Sequence, residues 1–307
     1  MIDDCNLDKY TKEVNQKQLA SNDILYSSLI FNNFNSNKVE ELVAVYDKKI
    51  SLLLGLQGNT LSAPFSAPFS FIRFASQDLK YDQLDSFVKT LISASLGLNL
   101  KITLPPYVYN ESLISKLSIA LGNNGFNLKY RDINSHIDVS EFSFDKLASS
   151  AKKAIRASKK NNNNFFLAHT LEDKKRAYSL IEDNRNSKGY PLRLSWEQLY
   201  STTDSVAKAL FFIAQVNGED AAAAIVFEIT KDKHQVIYWG ANEYGERHKV
   251  MYYLPFEIIE FYKNANVSIL DIGPSSELGK VSSGLNDFKQ SIGCLNTVKE
   301  TWVYDND

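Results

Sequence analysis

The chain has 307 residues, 44% hydrophobic, 12% aromatic and 23% charged, which is more than one packed core usually takes and too apolar for a disordered chain. Its 34 basic and 36 acidic side chains leave a formal net charge of -2, excluding a whole-molecule field that would draw in DNA or an anionic membrane. Any polyanion site has to be local, and two globular domains are the first expectation.

Cys5 and Cys294 lie at opposite ends, and the chain opens with Asp3, Asp4 and Asp8 where a secretory leader would be basic and then apolar. A reduced, cytoplasmic protein without signal peptide or disulfide framework is expected. The longest apolar runs, such as residues 221–227, are far too short to span a bilayer. No integral membrane segment is predicted, and membrane contact would be peripheral.

In chain order, residues 42–46 and 50–56 read as strands around an Asp47-Lys48-Lys49 turn, and residues 71–74 as a third. Leu84, Val88, Leu91 and Ile92 at helical spacing predict a helix over 81–95. A strand at 100–104, a stop at Pro105-Pro106 and a helix over 112–121 ended by Gly125 follow. The second half repeats that order: strands at 211–216, 221–229 and 235–239, a helix at 250–262, a strand at 268–272, a stop at Pro274, and a short helix around 286–291 ended by Gly293.

The repeat has a constant offset. Pro274 and Pro106 differ by 274 − 106 = 168, Gly293 and Gly125 by 293 − 125 = 168, and Leu285 and Leu117 by 285 − 117 = 168. A duplicated α/β domain, each copy a mixed sheet covered by helices, is the predicted architecture. The boundary is expected within 141–164, which gives domains 1–147 and 148–307, and the run from Asn161 to Asn164 reads as a loop. Residues 296–304 read as a last strand that completes the second sheet or crosses to the first.

Several chemistries lack their residues. The chain has no G-x-S-x-G elbow and no glycine-rich phosphate loop, and His136, His169, His234 and His248 stand without metal-ligand spacing. No metal site is predicted. Lys152, Arg156 and Lys160 recur at i, i+4 and i+8 with Lys153 and Lys159 beside them, a stripe that either holds phosphates or is a solvated helix face. The segment 183–193 has no counterpart in the first copy, and its Arg185, Lys188, Tyr190 and Arg193 are candidates for binding a carboxylate or phosphate, or simply an exposed connection.

Tyr238 and Trp239 precede a loop with Arg247, His248 and Lys249 that opens a helix, a place where cations and a helix N-terminus favour a pyrophosphate. Both aromatics are equally readable as core. The richest stretch is 271–279 followed by 283–294, where Ser275 and Ser276 sit at the end of a strand and Lys289 enters just after. The first copy has Leu121 at 289 − 168, so the cation is present in one copy only.

Gly284-Leu285, Phe288-Lys289 and Gly293 resemble the G-L-x-x-F-K-x-x-x-G signature of Fem-type (FemAB-like) proteins, a branch of the GNAT acyltransferases that includes the peptidoglycan-bridge aminoacyltransferases. Ser62-Ala63-Pro64-Phe65, the basic helix with Arg156, the Asn184-Arg185 and Lys188-Gly189-Tyr190 turn, and Asp271-Ile272-Gly273 support it in order along the chain. The resemblance implies tandem GNAT-like domains and transfer of an acyl or aminoacyl group to an amine, of a cell-envelope precursor or a nucleotide-linked sugar. It implies that Lys289 stabilises charge on the carbonyl oxygen and that Arg185 and Arg193 contact the acceptor; Phe288, Tyr190, Trp239, Ser275 and Ser276 are the other candidate substrate contacts. Arg156, Lys160, Arg247 and Lys249 would then meet phosphates.

The coenzyme A loop has no clean match, since Asn242 stands where that pattern begins with Gln or Arg. Acyl-coenzyme A and aminoacyl-tRNA both remain open as donor cosubstrates, the latter through a tRNA acceptor end, and no bound cofactor is implied. A binding module that keeps the scaffold without the chemistry is the alternative. Lys289 is expected at a cleft mouth, partly solvated, so that its replacement spares folding.

Overall fold

The computed structural model describes residues 24–74, 79–160 and 163–306. Cys5 with Asp3, Asp4 and Asp8, and Asn161 with Asn162, lie outside the described residues. The chain forms two compact units, the first from Met1–Arg131 and Val298–Asp307, the second from Asp132–Thr297.

The first unit begins with the short helix α1 (Leu29–Phe34) and the hairpin β1 (Glu41–Asp47) and β2 (Ile50–Gln57), turned at Lys48 with φ 54°. β3 (Thr60–Ala63) pairs antiparallel with β2, and β4 (Arg73–Phe74) also joins β2. Helix α2 (Tyr81–Ala94) buries Leu84, Phe87, Val88 and Leu91 and leads to β5 (Asn99–Thr103), which is parallel to β3 as a strand-helix-strand crossover requires. Helix α3 (Glu111–Asn123) starts where Asn110 accepts a hydrogen bond from the Leu113 N–H at 3.1 Å. The third strand of the meander is thus β3, before the stretch that the sequence offered at 71–74.

The second unit holds most of β6 (Asn127–Asp138), then α4 (Ser149–Lys160), β7 (Asn163–Leu167), α5 (Leu171–Ser187) and α6 (Trp196–Ser205). β8 (Ala209–Val216), β9 (Glu219–Glu228) and β10 (Lys233–Ala241) form a meander, and α7 (Glu243–Arg247) and α8 (Val250–Lys263) lead to β11 (Ile269–Pro274). The small hairpin β12 (Ser276–Glu277) and β13 (Lys280–Val281), helix α9 (Ser283–Ser291) and β14 (Leu295–Tyr304) close the chain. The strand order in this unit is β6-β11-β10-β9-β8-β7. Ala221 to Ala224 are fully buried in β9, and these small side chains let helices pack closely on the sheet.

Two local readings are corrected. Asn163 and Asn164 are not loop: they begin β7, because pairing with Val216 and Gln215 of β8 outweighs the low strand preference of asparagine. The segment 183–193 does not begin as a turn, since α5 runs on to Ser187 and only Lys188 onward leaves the helix.

The repeat persists at the offset of 168. β1 and β8 begin at 41 and 209, and β6 and β14 at 127 and 295, with 209 − 41 = 295 − 127 = 168. Gly125 and Gly293 have φ 87° and 95°, left-handed conformations that end α3 and α9. Phe126 N–H bonds to Leu121 O at 3.1 Å and Cys294 N–H to Lys289 O at 3.0 Å, the same helix-terminating bond in each copy.

The last strands trade places. Thr301 to Tyr304 of β14 pair antiparallel with Thr103 to Leu100 of β5 in the first unit, while β6 pairs with β11 in the second. Among the described residues no helix is long and apolar enough to cross a membrane.

Candidate functional site

In the second unit, β10 and β11 pair in parallel only at Lys233, Gln235 and the residue between, opposite Ile269 to Asp271. Beyond that point a bulge between Val236 and Tyr238 turns β10 along β9, and one between Asp271 and Gly273 keeps β11 on β6. The two strands part, and bulges of this kind commonly re-aim side chains at a site.

The apex of the split is polar and buried. Asp271, with no exposure, accepts from Asn134 Nδ2 at 2.7 Å, Gln235 Nε2 at 2.7 Å and the Gly273 N–H at 2.8 Å. Amide N–H groups on both carboxylate oxygens fit an ionised acid.

Lys289 lies past the apex, carried by α9. Its Nζ donates to the carbonyls of Ile272, Gly273 and Pro274 at 3.2, 2.9 and 2.8 Å. Those carbonyls line the stretch where β11 has left β10, so the ammonium stands in for the missing strand and uses all three of its hydrogens. At 2% exposure it is buried, which corrects the expected solvated lysine. Burial pushes its pKa down to about 8; the nearby Asp271 carboxylate opposes this, and the Arg185 charge adds to it. Leu121, the counterpart in the first copy, is buried in a mostly apolar setting that includes Leu52, Phe87 and Leu117.

Of the other expected contacts, some gather near Lys289. Phe288 is half-buried, with Trp239 at 6.3 Å and Tyr252 at 5.4 Å between ring centroids, both edge-on. Arg185 projects from α5, its Nε buried without a hydrogen-bond partner, and its charge reaches both Lys289 and Tyr238. Burial raises the Tyr238 hydroxyl, opposed by the backbone N–H groups of Leu194 and Arg193 and by the two arginine charges.

Others support the fold or stand in solvent. Ser275 Oγ and Ser135 Oγ share a hydrogen bond at 2.9 Å, and Ser276 Oγ donates to Asp132 Oδ1 at 2.8 Å, so both hydroxyls anchor the β12–β13 hairpin. Tyr190 is exposed, and the Arg193 side chain, largely in solvent, makes a loose contact with Glu277 at 3.7 Å. Arg156 and Lys160 are exposed on α4, Arg156 lying 5.2 Å from the centroid of the Phe144 ring, and they line a surface depression with Ser149, Lys152, Lys153 and Ala157. Arg247 and Lys249 are exposed on the segment between α7 and α8, to which Ser158 Oγ of α4 bonds through His248 O at 3.4 Å.

Sequence reasoning did not single out Asn134, Gln235 and Tyr252 as site residues. The available signal was polar residues, Gln235 and Asp271, inside otherwise apolar strands, visible only once the two strands are known to be neighbours.

Cys294 gives a pH test of this interior. Burial raises its thiol to about 12, with Lys289 opposing. The unfolded chain then loses the thiol proton first, from roughly pH 8.5, so the folded state binds more protons and stability falls as pH rises. Cys294→Ala should remove that fall: between pH 8.5 and 10.5 the variant should gain about 2 kcal/mol on the wild type in urea denaturation. Parallel curves for the two proteins would show that the thiol is not held neutral.

The chain matches no protein-family model and no curated protein sequence. Its fold does match solved structures. FemX superposes with TM-score 0.67 at 9% identity, over 92% of each chain. The C-terminal DUF2156 domain of a putative lysylphosphatidylglycerol synthetase from Agrobacterium fabrum gives 0.63 at 11% identity, over 95% of this chain and 92% of that one. L-PGS from Bacillus licheniformis gives 0.58 at 10%, over 99% and 92%. Identities this low carry the fold alone, and the fold, a mixed sheet flanked by helices, is shared with FemX, a protein of the Fem type that the Phe288-Lys289 signature resembles.

Proposed function

We propose that the chain is an N-acyltransferase that moves an acyl or aminoacyl group from an activated ester or thioester onto an amine of a cell-envelope precursor. The observation that carries this reading is the split between β10 and β11, with a buried carboxylate at its apex and Lys289, Phe288, Trp239 and Arg185 gathered beyond it. The parted strands leave the β10 side of the split for an extended donor arm, as strand addition does elsewhere, since the β11 carbonyls there are taken by Lys289. The Lys289 hydrogens are committed to backbone, so its help to a developing oxyanion is the field of a fixed, buried cation.

The donor carries phosphates, and the unpaired cations of α4 are where they bind. Arg156 and Lys160 have no ion-pair partner among the described residues. Reversing both, Arg156→Glu with Lys160→Glu, should weaken binding of a polyanionic donor roughly tenfold or more and flatten its salt dependence by about 0.7–0.9 per lost phosphate contact. The melting temperature should not move. Unchanged affinity and slope would return the stripe to a solvated helix face.

The second reading, a binding module without chemistry, is favoured by one observation: the same three bonds that bury Lys289 also give it a sufficient structural reason to be there. Purified chain incubated with lysyl-tRNA, alanyl-tRNA or acetyl-coenzyme A and an amine decides between them. Amide product supports the enzyme. A donor that raises the melting temperature yet is never discharged supports the module.

A further inference from the structure

The two units answer the same position on their ladders differently. In the first, Thr103 of β5 faces Thr301 of β14, and their hydroxyls share a hydrogen bond at 2.9 Å. Asp271 is the residue 168 positions after Thr103 (271 − 103 = 168), and it faces His136 of β6. Cross-strand partners leave the sheet on the same side, so carboxylate and imidazole are neighbours on one face. A closed neutral pair in one copy is a charged acid beside an imidazole in the other.

That imidazole is incompletely bonded. His136 is 8% exposed, its Nδ1 is buried without a hydrogen-bond partner, and its Nε2 bonds to no described residue. Other histidines differ: His234 Nδ1 pairs with the Tyr262 hydroxyl at 3.0 Å, His248 Nδ1 lies 2.8 Å from Tyr244 O, and His169 is exposed. A buried polar atom without a partner destabilises a fold, so a chain that could place threonine here has kept a group that the fold does not need.

We propose that His136 is the base of the acyl transfer, taking the proton that the acceptor amine must lose, with Asp271 steadying the imidazolium. This rests on the acyl-transfer reading above. The amine nitrogen attacks the donor carbonyl carbon, a C–N bond forms and the carbonyl pair moves to oxygen. On collapse the bond from carbon to the leaving oxygen or sulfur breaks. One proton passes from nitrogen to His136, and the imidazolium returns it to the leaving group, so that amide and free carrier result. The neutral ring carries its proton on one nitrogen and offers the other as the acceptor, and the imidazolium formed is favoured by the nearby Asp271 charge.

The charges around the ring suit that cycle. Burial, the largest effect, lowers the imidazole pKa and favours the neutral base, while Asp271 on β11 and Asp138 on its own strand favour the protonated form. Lys289, from α9, lies near enough to feel the Asp271 charge, while its own hydrogens go to the backbone carbonyls of β11.

The test uses His136→Phe and His136→Gln in the full chain, with lysyl-tRNA and acetyl-coenzyme A as donors and glycinamide as amine probe. The Phe variant should melt at the wild-type temperature or a few degrees above, since it removes the orphaned nitrogen. Turnover should fall about a hundredfold to ten-thousandfold, with the donor KM within roughly twofold. The acid limb of the pH profile should vanish in the Gln variant. A Phe variant that melts lower would make the ring structural, and one with normal turnover would remove it from the chemistry; either overturns the proposal. Wild-type chain that discharges neither donor sinks the acyl-transfer reading itself, and this proposal with it, before any variant is compared.

Discussion

Lys289→Met is expected to destabilise the second unit by about 3–5 kcal/mol, since buried carbonyls left without a donor cost about 1–3 kcal/mol each and removal of the buried charge offsets part of that. Methionine fills the volume but cannot donate, and the carbonyls of Ile272, Gly273 and Pro274 would be left without the three bonds they now accept. In a unit of this size that corresponds to a fall of roughly 10 °C in melting temperature. Lys289→Arg should fare little better, because a flat fork cannot point at three carbonyls that converge on one atom. The pH dependence carries a second signature. The folded value of about 8 lies below that of an unfolded lysine, so between the two the unfolded chain binds more protons and stability rises with pH. The rise should be absent in the Met variant. Circular dichroism melts at pH 7 and 10 decide: a Met variant melting within about 2 °C of wild type would show that the three bonds hold nothing.

That outcome reverses the expectation drawn from sequence, and the reason is instructive. Phe288-Lys289 was legible as a pair in a glycine-bounded signature, and the offset of 168 marked Lys289 as a cation replaced by Leu121 in the other copy. Burial was not legible, because it depends on β11 leaving β10 and exposing carbonyls, which no periodicity in the sequence records. Elements whose apolar spacing is strong, such as α2 with Leu84, Val88 and Leu91, were readable to within a residue. Elements held by tertiary pairing were not: β7 begins with two asparagines, and α5 continues through Asp183 and Arg185 because Asn184 is drawn into the core to bond Ala241 O at 2.6 Å. The polar apex was harder still, since Asn134, Gln235 and Asp271 come from three strands far apart in the chain.

Ending the chain after Thr297 is expected to unfold the first unit, although the deleted residues follow the second repeat in sequence. Residues 298–307 belong to the first unit, where Thr301 to Tyr304 form the strand beside β5. Their loss would bare Leu100 and Ile102, now 1% and 3% exposed, along an open strand edge. It would also remove Glu300, buried at 1% exposure, which accepts from Ser118 Oγ at 2.7 Å, Arg131 Nε at 2.8 Å and Trp302 Nε1 at 3.1 Å. The Tyr304 ring, 5.3 Å from Phe126, would go with it. Together these exceed the margin of roughly 5–15 kcal/mol by which a domain is folded, whereas the second unit keeps its full strand order from β6 to β7. Limited proteolysis with mass spectrometry gives the readout, with early cuts expected within residues 24–131 and late ones within 132–297. Equal resistance in the two stretches would mean that β14 is an accessory to the first sheet and not its fifth strand.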